Sequence, residues 1–212
     1  MIHVITRNQI PLYADQFDDM YRLLHRIYRT NRDWTIDARN GRVSDHSDPA
    51  LAIYLMHLSG NGHVNAAVRL TPSEFRPASS PQPYDRAIAA LPAGPDTWDA
   101  SQFCFSNAAD KRQVLAELTS GMIEFSLTWG IGRLSALIDH DLTAALRLLP
   151  LPVSFTGPPV KIGGDAFSPV ALQVTPAMLK SVHALTGAER PVLHLASAPA
   201  GPAGTPTAAG HV

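Results

Sequence analysis

The residues best suited to chemistry fall in short, separate stretches. Asp45 and Asp48 stand three apart in SDHSD, and Tyr28 and Trp34 precede them in RIYRTNRDW. Arg69 closes the apolar run HVNAAVRL, and TWDASQF carries Asp99 and Ser101 beside Phe103. A carboxylate holds a cation or accepts a proton, and a guanidinium binds a carboxylate through a two-pronged fork. Aromatic rings cover flat or cationic groups. Each residue also has a plainer role. Two aspartates in a loop serve turns and caps. Tyr28 and Trp34 can close a helix as core residues, and an arginine at a strand end is commonly a solvated charge.

The surrounding pattern supplies elements to position them. Ile2 to Thr6 is short and β-branched, a strand signature. Leu12, Phe17, Met20, Leu24, Ile27 and Tyr28 recur at helical spacing, which predicts a helix from Leu12 to about Arg32. Trp34 to Ala50 reads as a loop. Leu51 to Leu58 and His63 to Leu70 are apolar runs joined by SGNG, a hairpin signal because Gly and Asn tolerate positive φ. Thr71 to Pro83 reads as a surface loop, with a short helix at Tyr84 to Leu91 and a strand at Trp98 to Ser106. A long helix is predicted over Ala109 to Trp129. A buried strand, Arg133 to Ile138, and a helix near Leu142 to Leu149 follow. Strands are predicted at Val153 to Thr156, Pro159 to Ile162 and Ala166 to Val174, and Pro176 suits the first turn of a last helix. The Ala/Pro/Gly composition beyond about residue 190 predicts one domain over 1–190 and a disordered tail over 191–212. Strands interleaved with helices give an α/β domain with a central mixed sheet.

Composition narrows the function classes. Among 212 residues, 45% are hydrophobic and 17% charged, which suits a globular chain with a full core. A net charge of -1 gives no electrostatic reason to expect nucleic acid as a partner. One cysteine, Cys104, excludes an internal disulfide and reads as a buried, inert thiol. His25, His46, His57 and His63 lack metal-ligand spacing and read as surface histidines, so no metal is expected. Neither a leader sequence nor an apolar run long enough to span a bilayer is evident, which makes a cytoplasmic protein without a membrane partner the expectation.

Taken in order, these segments resemble the acyl-homoserine-lactone synthases. The resemblance covers about residues 1–185. It implies a GNAT-like acyltransferase fold, an α-β-α sandwich around a central mixed sheet. It also implies two reactions: transfer of an acyl group from a thioester, on a carrier protein or coenzyme A, to the amine of S-adenosylmethionine, then lactone closure with release of methylthioadenosine. S-adenosylmethionine is then a substrate, and no cofactor is implied. By the same resemblance Asp45, Asp48, Asp99 and Arg69 carry catalysis, Asp99 standing where the family has the Glu assigned as base. Tyr28 and Trp34 form an aromatic wall, Ser101 and Phe103 complete the TWDASQF segment, and Ala136 and Ile138 lie on the strand beside the acyl chain.

Three positions depart from the family pattern. Leu24 and Gln102 replace arginines, and Asp99 is one methylene shorter than Glu. Three acids are thereby set against one family arginine, Arg69. Two rival readings follow: an acyltransferase with another amine acceptor, or a non-catalytic ligand-binding homologue.

Overall fold

The computed structural model describes residues 1–27, 38–39, 42–43, 51–76, 84–107, 110–162, 164–187 and 190–195. Strand β1 is Ile2–Thr6, and a 3-10 segment, Arg7–Tyr13, leads into α1, Ala14–His25. Two short strands, β2 (Ala38–Arg39) and β3 (Arg42–Val43), pair with each other. Next come β4 (Ile53–Leu58), β5 (Val64–Pro72), α2 (Tyr84–Ala89), β6 (Thr97–Phe105) and α3 (Lys111–Thr128). The remainder is β7 (Arg133–Asp139), α4 (His140–Leu146), β8 (Ser154–Phe155), β9 (Val160–Ile162), β10 (Asp165–Gln173), α5 (Pro176–Thr186) and β11 (Leu193–Leu195).

The large sheet has the order β11-β1-β4-β5-β6-β7-β10-β8, with β9 on β10. The pairs β1·β11 and β6·β7 are parallel and the others antiparallel, so the sheet is mixed. Side chains alternate between its faces. On one face α1 buries Phe17, Met20, Leu23 and Leu24 against Tyr54, Met56, Ala67 and Cys104. On the other, α3 and α5 cover Ile2, Leu55, Val68, Ala100, Leu134, Ala136 and Ile138. This is the expected α-β-α sandwich. Helix α3 starts where the Asp110 side chain accepts from the Arg112 and Gln113 amides, an N-cap that satisfies otherwise orphaned donors. Gly121 lets it approach the sheet: a Cβ there would lie 3.0 Å from Ile2.

Several boundaries differ from the sequence reading. The helix expected from Leu12 begins at Ala14, because residues through Tyr13, Pro11 among them, form the tighter 3-10 segment. The tail expected to be disordered from 191 includes an ordered strand, β11, running parallel to β1 in register Ile2↔Leu193 to Val4↔Leu195. Its anchor is remote in sequence. The buried Glu124 carboxylate accepts from the Val192 amide at 2.9 Å, the Leu193 amide at 3.2 Å and His183 Nε2 at 2.8 Å. Residues 196–212 lie outside the described residues. Among the described residues, no helix is long and apolar enough to cross a membrane, and no group of His, Cys, Asp and Glu could hold a metal ion.

Candidate active site

The sheet presents a polar row where β5, β6 and β7 run side by side. Thr71, Asp99 and Ser135 are register partners across the three strands, and Arg69 faces Ser101 one row away. Two residues of strand separate the rows, about 7 Å at roughly 3.4 Å per residue. Arg69 Nε donates to Ser101 Oγ at 3.2 Å. Asp99 accepts from Ser135 Oγ at 2.5 Å, from Arg76 Nε at 2.8 Å and from Arg76 Nη2 at 2.6 Å. The fork to Asp99 is bidentate, the strong geometry for an arginine and a carboxylate. Arg76 is itself fixed by the Leu91 and Pro92 carbonyls at 3.2 and 3.0 Å.

Immediately beyond this row the sheet opens. Strands β6 and β7 pair from Thr97↔Arg133 to Ala100↔Ala136, and no pairing between them continues past that point. On the other side of β6 the register to β5 slips between Ala67↔Cys104 and Arg69↔Ser101, so Gln102 and Phe103 together oppose Val68. That two-against-one count is a β-bulge. Gln102 carries φ 54°, the one positive φ outside glycine among the described residues. A non-glycine residue held in the left-handed region costs on the order of 1 kcal/mol or more and tends to mark a functional site.

Two cavities meet at the bulge. One is an apolar chamber of about 540 Å³, its open mouth included, between the sheet and α3. Ala100, Phe103, Leu118, Met122, Leu134, Ala136, Ile138, Leu146, Val153 and Val170 are among its lining residues. The other is a cleft of mixed polar and apolar lining, about 1160 Å³ with its open side included, where β6 and β7 end. Its polar lining is Asn107, Lys111, Asp139, His140, Asp141 and Asp165; Ile27, Phe105 and Leu142 are among its apolar lining, and it shares Phe103 and Leu115 with the chamber. Polar groups able to handle an amine thus lie on one face of the sheet and an apolar chamber on the other, joined where the strands part.

The sequence model of the autoinducer synthases matches residues 8–182. The chain belongs to the autoinducer synthase family. Similar curated members include an acyl-homoserine-lactone synthase of Rhizobium etli, 27% identical over 176 residues, 76% of this chain and 80% of that protein. An isovaleryl-homoserine lactone synthase of Bradyrhizobium diazoefficiens is 29% identical over 66% of this chain. That match spans 64% of the second protein, slightly under two thirds. BjaI, a CoA-dependent acyl-homoserine lactone synthase solved with SAM and isopentyl-CoA, has the same fold. Its TM-score is 0.80 at 23% identity, covering 93% of this chain and 94% of that one. An acyl-CoA N-acyltransferase from Pseudomonas aeruginosa shares the fold more distantly, at TM-score 0.54 and 10% identity, over 81% of this chain and 99% of that one. The GNAT-like acyltransferase fold expected from the sequence is therefore the observed one.

Within this autoinducer synthase fold the expected site residues divide. Arg69, Asp99 and Ser101 share the polar face; Phe103, Ala136 and Ile138 line the chamber. Ala136 and Ile138 are two apart on β7 and therefore face the same way. Tyr28, Trp34, Asp45 and Asp48 lie outside the described residues, as does His46. Leu24 is fully buried in the core beside Tyr54 and Cys104. Cys104 is indeed a buried thiol, its pKa pushed up to about 12 by burial. His57 is not the surface residue expected. It is 12% exposed and pairs with Glu117 Oε2 at 2.8 Å and Asn65 at 3.2 Å.

Arg76 is the residue of this polar row that the sequence did not point to. It follows a 3-10 turn, Ser73–Phe75, in a Pro/Ser-rich stretch that reads as surface. Its partner lies 23 positions away, so no local periodicity could have paired them. The count of three acids against Arg69 alone is corrected accordingly: Asp99 has its own arginine.

Proposed function

We propose that this chain makes an acyl-homoserine lactone from S-adenosylmethionine and an acyl thioester, with the two substrates approaching opposite faces of the sheet. The arrangement around the β6–β7 opening carries this reading. The acyl chain lies in the apolar chamber, its carbonyl at the bulge beside Phe103. The acceptor amine lies over Asp99, Ser101 and Arg69. Asp45 and Asp48 hold the cationic acceptor, Tyr28 and Trp34 wall its adenosyl group, and Arg69 meets its carboxylate.

The neutral amine attacks the thioester carbonyl, the carbonyl π electrons move to oxygen, and collapse of the adduct expels the donor thiolate. The nitrogen's proton passes to Asp99 directly or through one water. The bulge brings Phe103 to the chamber wall, where its backbone N–H stabilises the oxyanion, a donor costing no reorganisation at the moment of reaction. In the second step a carboxylate oxygen of the acylated substrate attacks its own carbon next to the sulfonium. The C–S bond breaks, the lactone closes, and neutral methylthioadenosine leaves.

The chamber also bears on the acyl class. Its lining is aliphatic and aromatic apart from the Thr119 and Ser135 hydroxyls, which favours unsubstituted, straight or branched acyl groups. The shared fold with BjaI, a CoA-dependent synthase, supports a coenzyme A donor. Thiol release from a panel of acyl-coenzyme A donors, with and without S-adenosylmethionine, tests this reading. Release should require S-adenosylmethionine. Release that another amine supports equally well would favour the different-acceptor reading.

A further inference from the structure

The loss of two family arginines leaves a question at Asp99. Position 24 supplies no cation: Leu24 is fully buried in the cluster with Phe17, Met20 and Tyr54. Position 102 is glutamine on a strained backbone. Arg76 fills the place electrically, from a different element. Its guanidinium makes four hydrogen bonds, two to Asp99 and one each to the Leu91 and Pro92 carbonyls. Side chains 76 and 99 are 14% and 15% exposed. The carbonyls fix the plane of the guanidinium, and the guanidinium fixes the plane of the carboxylate.

Counting lone pairs shows what this leaves. A carboxylate has about four acceptor sites. Arg76 takes one on each oxygen of Asp99, and Ser135 takes the second on Oδ1. Among the described residues the second site on Oδ2 remains open. We propose that Arg76 is a positioning residue for amine acylation: it turns Asp99 so that this remaining site of Oδ2 meets the acceptor's N–H or the water relaying its proton. The proposal rests on the synthase reading.

The test compares steady-state kinetics of the parent with R76A, R76K, D99N and R76A/D99N. R76A is expected to lower kcat about 100-fold, the scale of a misplacement near 1 Å, with the KM for acyl-coenzyme A little changed. R76K keeps the charge but loses the planar fork, so it should recover part of the loss. The double variant should be no slower than D99N, because Arg76 acts only through Asp99. R76A also leaves a largely buried carboxylate unpaired; if it does not fold, R76K and the double variant carry the comparison, since neither leaves that charge bare. Folded R76A or R76K with the parent's kcat would overturn the proposal, as would losses that multiply in the double variant. A parent inactive with S-adenosylmethionine and every acyl thioester, on coenzyme A or on a carrier protein, would overturn the synthase reading and this proposal together. An active parent with an indifferent Arg76 would overturn this one alone.

Discussion

Replacing Ala136 by leucine should shorten the acyl chain this enzyme accepts. Ala136 is 6% exposed, sits in register with Ala100 on one side and Val170 on the other, and faces the chamber. Leucine adds three carbons to the space the substrate would occupy. At about 0.8 kcal/mol per buried methylene, displacing about three acyl carbons costs about 2.4 kcal/mol, or about 50-fold in kcat/KM. The penalty falls on chains long enough to reach past residue 136. Octanoyl-coenzyme A should therefore lose about 50-fold, while butanoyl-coenzyme A stays within about threefold of the parent. Overpacking a filled core costs about 1–3 kcal/mol; here the empty chamber takes up the added volume, so the melting temperature should change little. Equal losses for both donors in a stably folded variant would refute the placement of the acyl chain beside Ala136.

Other consequences are open to direct measurement. A 3-oxo donor should be used less well than its unsubstituted counterpart, by up to about 100-fold, read as a ratio of kcat/KM; equal use would mean that a chamber hydroxyl, Thr119 or Ser135, donates to the oxygen. Cys104 should resist alkylation in the native protein near neutral pH, because burial keeps its thiol protonated up to about 12. Unfolding frees that thiol to ionise at its ordinary value of 9.0, so its contribution to stability is complete below pH 9 and declines as pH rises toward 12. Glu124→Ala should lower stability by about 1–3 kcal/mol by orphaning the amides it holds and should expose the β11 segment to limited proteolysis. Truncation after Val192 should lower the melting temperature by removing β11, whereas truncation after Leu195 should leave it unchanged.

Most of the fold was legible because its signals are local. Alternation and β-branching mark β4 and β5, and Gly62 at φ 83° makes the hairpin turn that SGNG announces. The spacing of Phe17, Met20 and Leu24 gives the buried face of α1. What the sequence hid depends on distant partners. LHL reads as part of an Ala/Pro/Gly tail until Glu124 supplies acceptors for its amides. Arg76 reads as a loop charge until the β5–β6 pairing brings Asp99 beside it. His57 reads as a scattered histidine until α3 brings Glu117 over β4. The bulge at Gln102 left no local mark either, because a positive φ is ordinarily written with glycine.

The central claim is that an amine on the polar face and an acyl group in the apolar chamber react across the β6–β7 opening. Mass spectrometry of one reaction tests it most directly: purified protein, S-adenosylmethionine and isovaleryl- or octanoyl-coenzyme A, with both products quantified over time. Acyl-homoserine lactone and methylthioadenosine should appear in equal amounts, and Asp99→Asn should slow both together by about 100-fold or more. Undiminished product formation by Asp99→Asn would contradict it, as would methylthioadenosine released without any acylated lactone.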